Sequence, residues 1–328
     1  KRPKGLRYTA RMNALLDLSP VALSALLAPF GLILGSFCNV LIHRLPLEQP
    51  EDRNVVTKPS HCPHCGTRIR WVHNLPLVSW LWLRGRCAHC GASIPFRYFL
   101  VELLGGVLLG GLHWVAPVGS LIWLKLAVAG FALLVLFFTD FTEFILPDVI
   151  QFPLMALGVL FALPQELWPG LTHRIVQEGY SLLTVDTLYN GLQPAPAWTL
   201  LGAPVTWTES LIGLVGGYGA PWLLATSYVL FNNQVLVRFF GRERIEEGMG
   251  MGDFKLLAWI GAFWGWQTML GVFAIGVILG GLLGIFLWVF RKGGARTLLP
   301  FGCPLAIAVP VAVFWGRGLW DLYLSTLG

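Results

Sequence analysis

The chain has 328 residues, 55% of them hydrophobic and only 12% charged, with a mean hydropathy of +0.67 and a formal net charge of +6. A soluble domain carries about 25% charged residues, so roughly half of the usual water-facing charge is missing. This composition excludes a water-soluble globule, a disordered chain and a coiled coil, and puts most of the chain in a bilayer as an all-α integral membrane protein. Fifteen Trp and 38 Gly agree, because membrane interfaces favour Trp and packed membrane helices favour Gly.

In chain order, residues 1–18 form an N-terminal segment with five positive charges, and Met12 within it is a candidate start residue. The first span, Ser19–Ile42, carries no Asp, Glu, Lys or Arg. It runs on without the small-residue cleavage pattern of a signal peptide, the rival reading of such a segment. Further spans are predicted over Phe99–Trp114, Leu121–Phe138, Val149–Leu163 and Ser210–Val237. The charge-free run Leu256–Phe290 is 35 residues. As one helix it would measure about 53 Å against a hydrocarbon core of about 30 Å, so it must fold back near Gly265-Trp266-Gln267. A last span covers Pro304–Leu322, giving about eight transmembrane helices.

Parity places residues 43–97, 139–148, 232–255 and 291–299 on one side, with 15 Lys/Arg against 7 on the other. The richer side is read as cytoplasmic, although the N-terminal charges oppose this. The basic charge is thus a topology signal with affinity for membrane lipids, and no nucleic-acid partner is expected. The outer loop, residues 164–208, has no periodicity from which to read a role.

The loop of residues 43–97 holds Cys62-Pro63-His64-Cys65 and Cys87-Ala88-His89-Cys90. Two C-x2-C knuckles supply four thiolates converging on one tetrahedral site, which suits a structural zinc. Glycine follows each knuckle (Gly66, Gly91), as tight ligand turns favour. Disulfides are the alternative and are disfavoured in the cytoplasm. Four thiolates leave no open position for catalysis. Cys38 and Cys303, in or beside spans, read as buried small apolar residues.

Two acids stand at the cytoplasmic edge of the spans. Asp140 directly follows the apolar end of the third, where a carboxylate is costly without a task or a partner. Asp253 closes Gly248-Met249-Gly250-Met251-Gly252-Asp253 and opens the sixth helix. Two carboxylates meeting there would share one proton, since like charges ~3 Å apart cannot both ionise, and would activate a water for peptide hydrolysis. Helix capping is the plainer role for Asp253, and also for Asp148, which follows Pro147. Neither a Gly-x-Ser-x-Gly nor a His-Glu-x-x-His motif occurs.

Taken together, the chain resembles the type IV prepilin peptidases. The matching residues are Gly35-Ser36-Phe37-Cys38-Asn39-Val40 with Arg44-Leu45-Pro46, both cysteine knuckles, Asn74-Leu75-Pro76-Leu77-Val78-Ser79, and Arg97-Tyr98 with Glu102-Leu103. Asp140 to Leu146-Pro147-Asp148, Gly248 to Ala258 and Pro300-Phe301-Gly302 continue the match. The resemblance implies a bacterial inner-membrane aspartic endopeptidase with Asp140 and Asp253 catalytic. Residues 98–328 would be its polytopic peptidase domain and residues 43–97 its cytoplasmic zinc domain, held by Cys62, Cys65, Cys87 and Cys90. It further implies prepilins and pseudopilins as substrates, cut at the cytoplasmic face after a basic leader. The new N-terminus would then be methylated with S-adenosylmethionine, by residues the sequence does not identify. Departures are the long outer loop and Cys303, which stands where relatives usually have Pro; both are expected to lie outside the chemistry. A transporter would show repeated acids within spans, and these spans show almost none. A non-enzymatic assembly factor that docks through its zinc loop is the other rival.

Overall fold

The computed structural model describes residues 19–49, 51–55, 59–116, 118–167, 205–240, 249–290 and 300–327. The N-terminal segment and most of the outer loop fall outside them. In hydrocarbon every backbone N–H and C=O must find a partner within its own segment, and the described residues accordingly form helices. These are α1 (Pro20–Arg44), α2 (Val78–Trp82), α3 (Phe96–Gly111), α4 (Leu121–Glu143), α5 (Asp148–Leu167), α6 (Trp207–Phe231), α7 (Val237–Phe240), α8 (Met251–Phe290) and α9 (Gly302–Leu327). Among the described residues five helical stretches are long and apolar enough to cross a membrane, and Asp148–Leu163 and Gly302–Gly316 are shorter apolar helices.

Two compact units divide the chain at Val135/Leu136, within α4. In the first, α1 packs antiparallel on α3. A Cβ on Gly31 would collide with the Gly105 carbonyl oxygen, and one on Gly35 would lie 2.8 Å from the Val101 oxygen. The backbones touch, so dispersion and close packing hold the pair where burial from water cannot. The loop between these helices carries a 3₁₀ turn at Trp71–Asn74, short α2 and two isolated antiparallel bridges, His61 with Arg68 and Arg86 with Ser93.

In the second unit α8 is the central element. Gly265 breaks it, at φ 81° and ψ 168°, a conformation that a side chain disfavours. Before the break it runs antiparallel to α6, with Gly261 against Gly213 and Leu257 and Ala258 against Gly217. After the break Met269 is back at the level of Gly216, 3.7 Å from where its Cβ would stand. The chain has therefore reversed at the position expected from the length of the apolar run. Residues 266–290 then run antiparallel to α9, pairing Gly276 with Leu305 and Gly280 with Phe301. The fully buried core includes Leu256, Leu257, Trp259, Ile260, Phe263 and Leu305. Phe161 meets Phe263 edge-on at 5.6 Å. Helix α6 begins with a capping box between Thr206 and Glu209, and Ser210 Oγ donates to the Ala262 carbonyl at 2.8 Å. The hydroxyl joins two helices where no water is present to compete.

Close backbone contact makes an added side chain costly. Gly261→Leu should destabilise the protein by about 1–3 kcal/mol or more. Gly111→Ala, where a Cβ meets nothing within 4 Å, should be neutral or slightly stabilising. Thermal unfolding in detergent distinguishes the two.

Candidate active site and metal centre

The two cysteine knuckles share one local geometry. In the first, Cys62 N–H donates to Thr67 O at 3.0 Å and Gly66 N–H to Cys62 O at 2.9 Å. In the second, Cys87 N–H donates to Ala92 O at 2.8 Å and Gly91 N–H to Cys87 O at 2.9 Å. Gly66 and Gly91 have φ of 66° and 73°, which closes each turn. A Cβ on either would meet nothing within 4 Å, so backbone conformation rather than space asks for glycine.

All four Sγ atoms lie within 4.8 Å of one another, with Cys62 and Cys90 at 3.9 Å. Tetrahedral zinc with bonds of about 2.3 Å needs sulfurs about 3.8 Å apart, so the cluster fits that ion. The backbone N–H groups of Cys90 and His89 bring the Cys87 thiol down to about 6, and Thr67 lowers Cys65. Cys90 has the Ala92 N–H beside it but goes up to about 11, because burial and three neighbouring sulfurs press it to keep its proton. A dication relieves that competition.

The two aspartates both belong to the second unit. Helix α4 ends at Glu143, and Phe144 after it, with φ 56° and its N–H bonded to Asp140 O at 3.0 Å, forms the closing turn. The turn sends Leu146 back against α8 and α9. A Cβ on Gly252 would lie 2.9 Å from Leu146 Cβ, and one on Gly302 would lie 3.1 Å from Leu146 Cδ1. Gln151 is fully buried and fixes this turn by donating from Nε2 to Leu146 O at 3.1 Å.

Asp140 is 5% exposed and Asp253 7%. Asp140 Oδ2 accepts the Cys303 backbone N–H at 2.8 Å, with Gly302 beside it, so its carboxylate sits on the N-terminus of α9. The dipole and unpaired donors of a helix start favour negative charge there. Asp253, in the first turn of α8, lies close enough to Asp140 for their charges to repel, and both charges act on the Cys303 sulfur. The two acids therefore lie near each other, Asp140 at the end of α4 and Asp253 at the start of α8, beside the start of α9. Asp148 opens α5, where Lys255 Nζ pairs with its Oδ1 at 2.6 Å.

Against this geometry, residues 30–116 match the bacterial peptidase A24 N-terminal domain and residues 127–285 match the type IV leader peptidase family. The prepilin leader peptidase/N-methyltransferase of Aeromonas salmonicida strain A449 is 34% identical, over 96% of this chain and all of that relative. This chain belongs to the type IV leader peptidase family. The protein of the same name from Aeromonas hydrophila is 34% identical, over 90% of this chain and 92% of its own. That from Stutzerimonas stutzeri is 33% identical over 94% and 96%. No solved structure matches the chain.

For this leader peptidase family member, sequence reasoning missed what supports Asp140. Cys303 is expected from the sequence to lie outside the chemistry, yet its N–H holds the carboxylate, and its sulfur lies 3.4 Å from the Phe137 carbonyl. The signal was the Pro300-Phe301-Gly302 motif, whose glycine leaves room for a carboxylate. Cys38 and Cys303 are both the buried small residues expected, each at 4% exposure.

Purified protein should contain about one zinc per chain by metal analysis, and Cys62→Ser with Cys65→Ser should remove it. A bound ion would supply folding energy to a loop with little core, so the same variant should expose residues 59–95 to limited proteolysis.

Proposed function

We propose that this chain is an aspartic endopeptidase of the bacterial inner membrane with Asp140 and Asp253 as its catalytic pair. It removes the basic leader from type IV prepilins and pseudopilins at the cytoplasmic face. It then methylates the exposed N-terminal amine with S-adenosylmethionine. Family membership supports the two activities, and the meeting of two buried acids from separate helices carries the assignment of the pair.

The chemistry needs one ionised and one protonated carboxyl. The ionised member takes a proton from a water while the protonated member donates to the scissile carbonyl oxygen, so the oxygen attacks and a tetrahedral intermediate forms. Collapse breaks the C–N bond, and the amine leaves with a proton from the pair. The prepilin's own apolar helix packs laterally among these glycine-rich helices and holds the bond at the membrane edge. Such positioning can supply ~7–11 kcal/mol of a barrier.

The reversal at Gly265 splits one long apolar stretch in two. With the two shorter apolar helices this supports eight crossings, and the four-cysteine loop and both acids then share the positive, cytoplasmic side. Four-sulfur coordination gives zinc a structural role there. Glu143 is available to attract the basic leader. Asp148, another acid suited to that role, is already paired with Lys255.

Asp140→Asn and Asp253→Asn should each lower cleavage of a model prepilin by about 10²–10⁴-fold while the protein stays folded in the membrane. Full activity in either variant would falsify the assignment. Gly302→Ala would place a methyl 2.8 Å from Asp140 Oδ2. It should slow cleavage by about 10²-fold with little change in KM, a displacement effect read in single-turnover kinetics.

A further inference from the structure

The loop that carries the cysteines also carries an apolar surface that no other described residue covers. Trp71 is 78% exposed and Trp82 74%, and Val78 and Leu81 are each more than half exposed. Val78, Leu81 and Trp82 stand at i, i+3 and i+4 of α2, so they share one face of that helix. Single exposed hydrophobes are ordinary. Three on one short helix face, with a second tryptophan just upstream, ask for an apolar neighbour.

The other side of α2 is fixed on α3. Trp80 meets the Phe96 and Phe99 rings at 5.7 and 5.3 Å, and its Nε1 donates to the Ile94 carbonyl at 3.3 Å. Leu77, just before α2, has φ 60° and ψ −49°, which an L-residue adopts only at a cost. Its N–H donates to Glu102 Oε2 at 2.8 Å, and that bond holds the bend. Glu102 lies about 9 Å along α3 from Phe96. Leu77 also lines one cleft with Leu32 of α1 and with Leu103, Gly106 and Val107 of α3. Helix α2 therefore lies along a membrane-spanning helix, level with its first turns.

What meets the outer face follows from its neighbours. Further along α3, Leu103, Leu104 and Val107 are exposed apolar side chains of a membrane span, the kind that lipid covers. Charge points to the same partner. From Asn54 to Val101 the chain has six Lys/Arg and no Asp or Glu. Arg70 precedes Trp71, and Arg84 and Arg86 follow Trp82, all three exposed. Tryptophan at an apolar edge with arginine beside it is the composition of a membrane interface. Indole rings sit at headgroup level, while the guanidinium groups reach the phosphates. A basic peptide would be repelled by the same charges.

We propose that α2 and its flanks are an interfacial membrane anchor, with Val78, Leu81 and Trp82 among the acyl chains of one leaflet and Arg70, Arg84 and Arg86 at its phosphates. The partner is the phospholipid bilayer itself. A loop with little core of its own thereby gains from lipid the burial that a larger domain supplies internally. The second cysteine knuckle begins shortly after Trp82, so the anchor keeps the four-sulfur cluster at the membrane surface. The inference is independent of both enzymatic activities.

The test uses the full-length protein in phospholipid nanodiscs. The photoreactive residue p-benzoylphenylalanine is placed at position 82 in place of Trp82, and at position 107 in place of Val107 as a control on the span. After irradiation and digestion, both should yield peptides carrying a phospholipid, identified by an adduct mass that changes with the nanodisc lipid. A lipid adduct at 107 but none at 82, or cross-links from 82 to a second copy of the chain or to another of its segments in place of lipid, overturns the proposal. Independently, Leu81→Glu combined with Trp82→Glu puts charge into the lipid-facing side. It should speed hydrogen exchange of residues 71–84 in nanodiscs at least about tenfold, with exchange in α4 unchanged as the report on folding. Unchanged exchange over residues 71–84 in that variant means the face meets water, and the anchor is ruled out.

Discussion

A carboxylate withdrawn from water at the end of a membrane helix has to be held by donors of the protein itself. Asp140 is held by the backbone at the start of α9, through the Cys303 N–H at 2.8 Å. This bond ties the end of α4 to α9, and Leu146 wedges the same turn against Gly252 at the start of α8. The start of α8 carries Asp253, so the placement of the second acid depends on the support of the first. Backbone donors suit the task because they cannot swing away and cannot be titrated. A lysine or arginine in their place would pair with the acid as a mobile charge.

The glycines serve this arrangement from a distance. Helices of equal hydrophobicity to lipid gain nothing by leaving it, so they associate through backbone contact and a few polar links. Gly213 with Gly261 and Ser210 with Ala262 O locate α8 on α6. Gly31 with Gly105 does the same for α1 on α3. In each case a missing side chain fixes a separation, and the separation fixes where polar groups at the helix ends arrive.

Much of this was legible in the sequence. Composition dictated a membrane bundle, and the length of the run from Leu256 to Phe290 demanded a reversal, found at Gly265. The spacing of Cys62, Cys65, Cys87 and Cys90 set out a four-sulfur cluster before any coordinate did. Both aspartates showed as acids placed where acids are expensive. What stayed hidden depended on backbone atoms and on pairings between distant segments. A main-chain N–H leaves no trace in the residue letter, so Cys303 read as filler. The pairing of Asp148 with Lys255 was equally invisible, because parity assigns a side of the membrane but not a neighbour.

The break at Gly265 has a mechanical consequence for the lipid. The stretch from Met251 to the break rises about 21 Å at helical pitch, well short of a hydrocarbon core of about 30 Å. A segment so short cannot meet both faces of a bilayer, and it does not have to: every residue from Leu256 to Gly265 is buried by protein and not by lipid. The helices around it set the thickness that the lipid meets. The depth of the acid at its start is thereby fixed by its protein neighbours and insulated from changes in lipid composition.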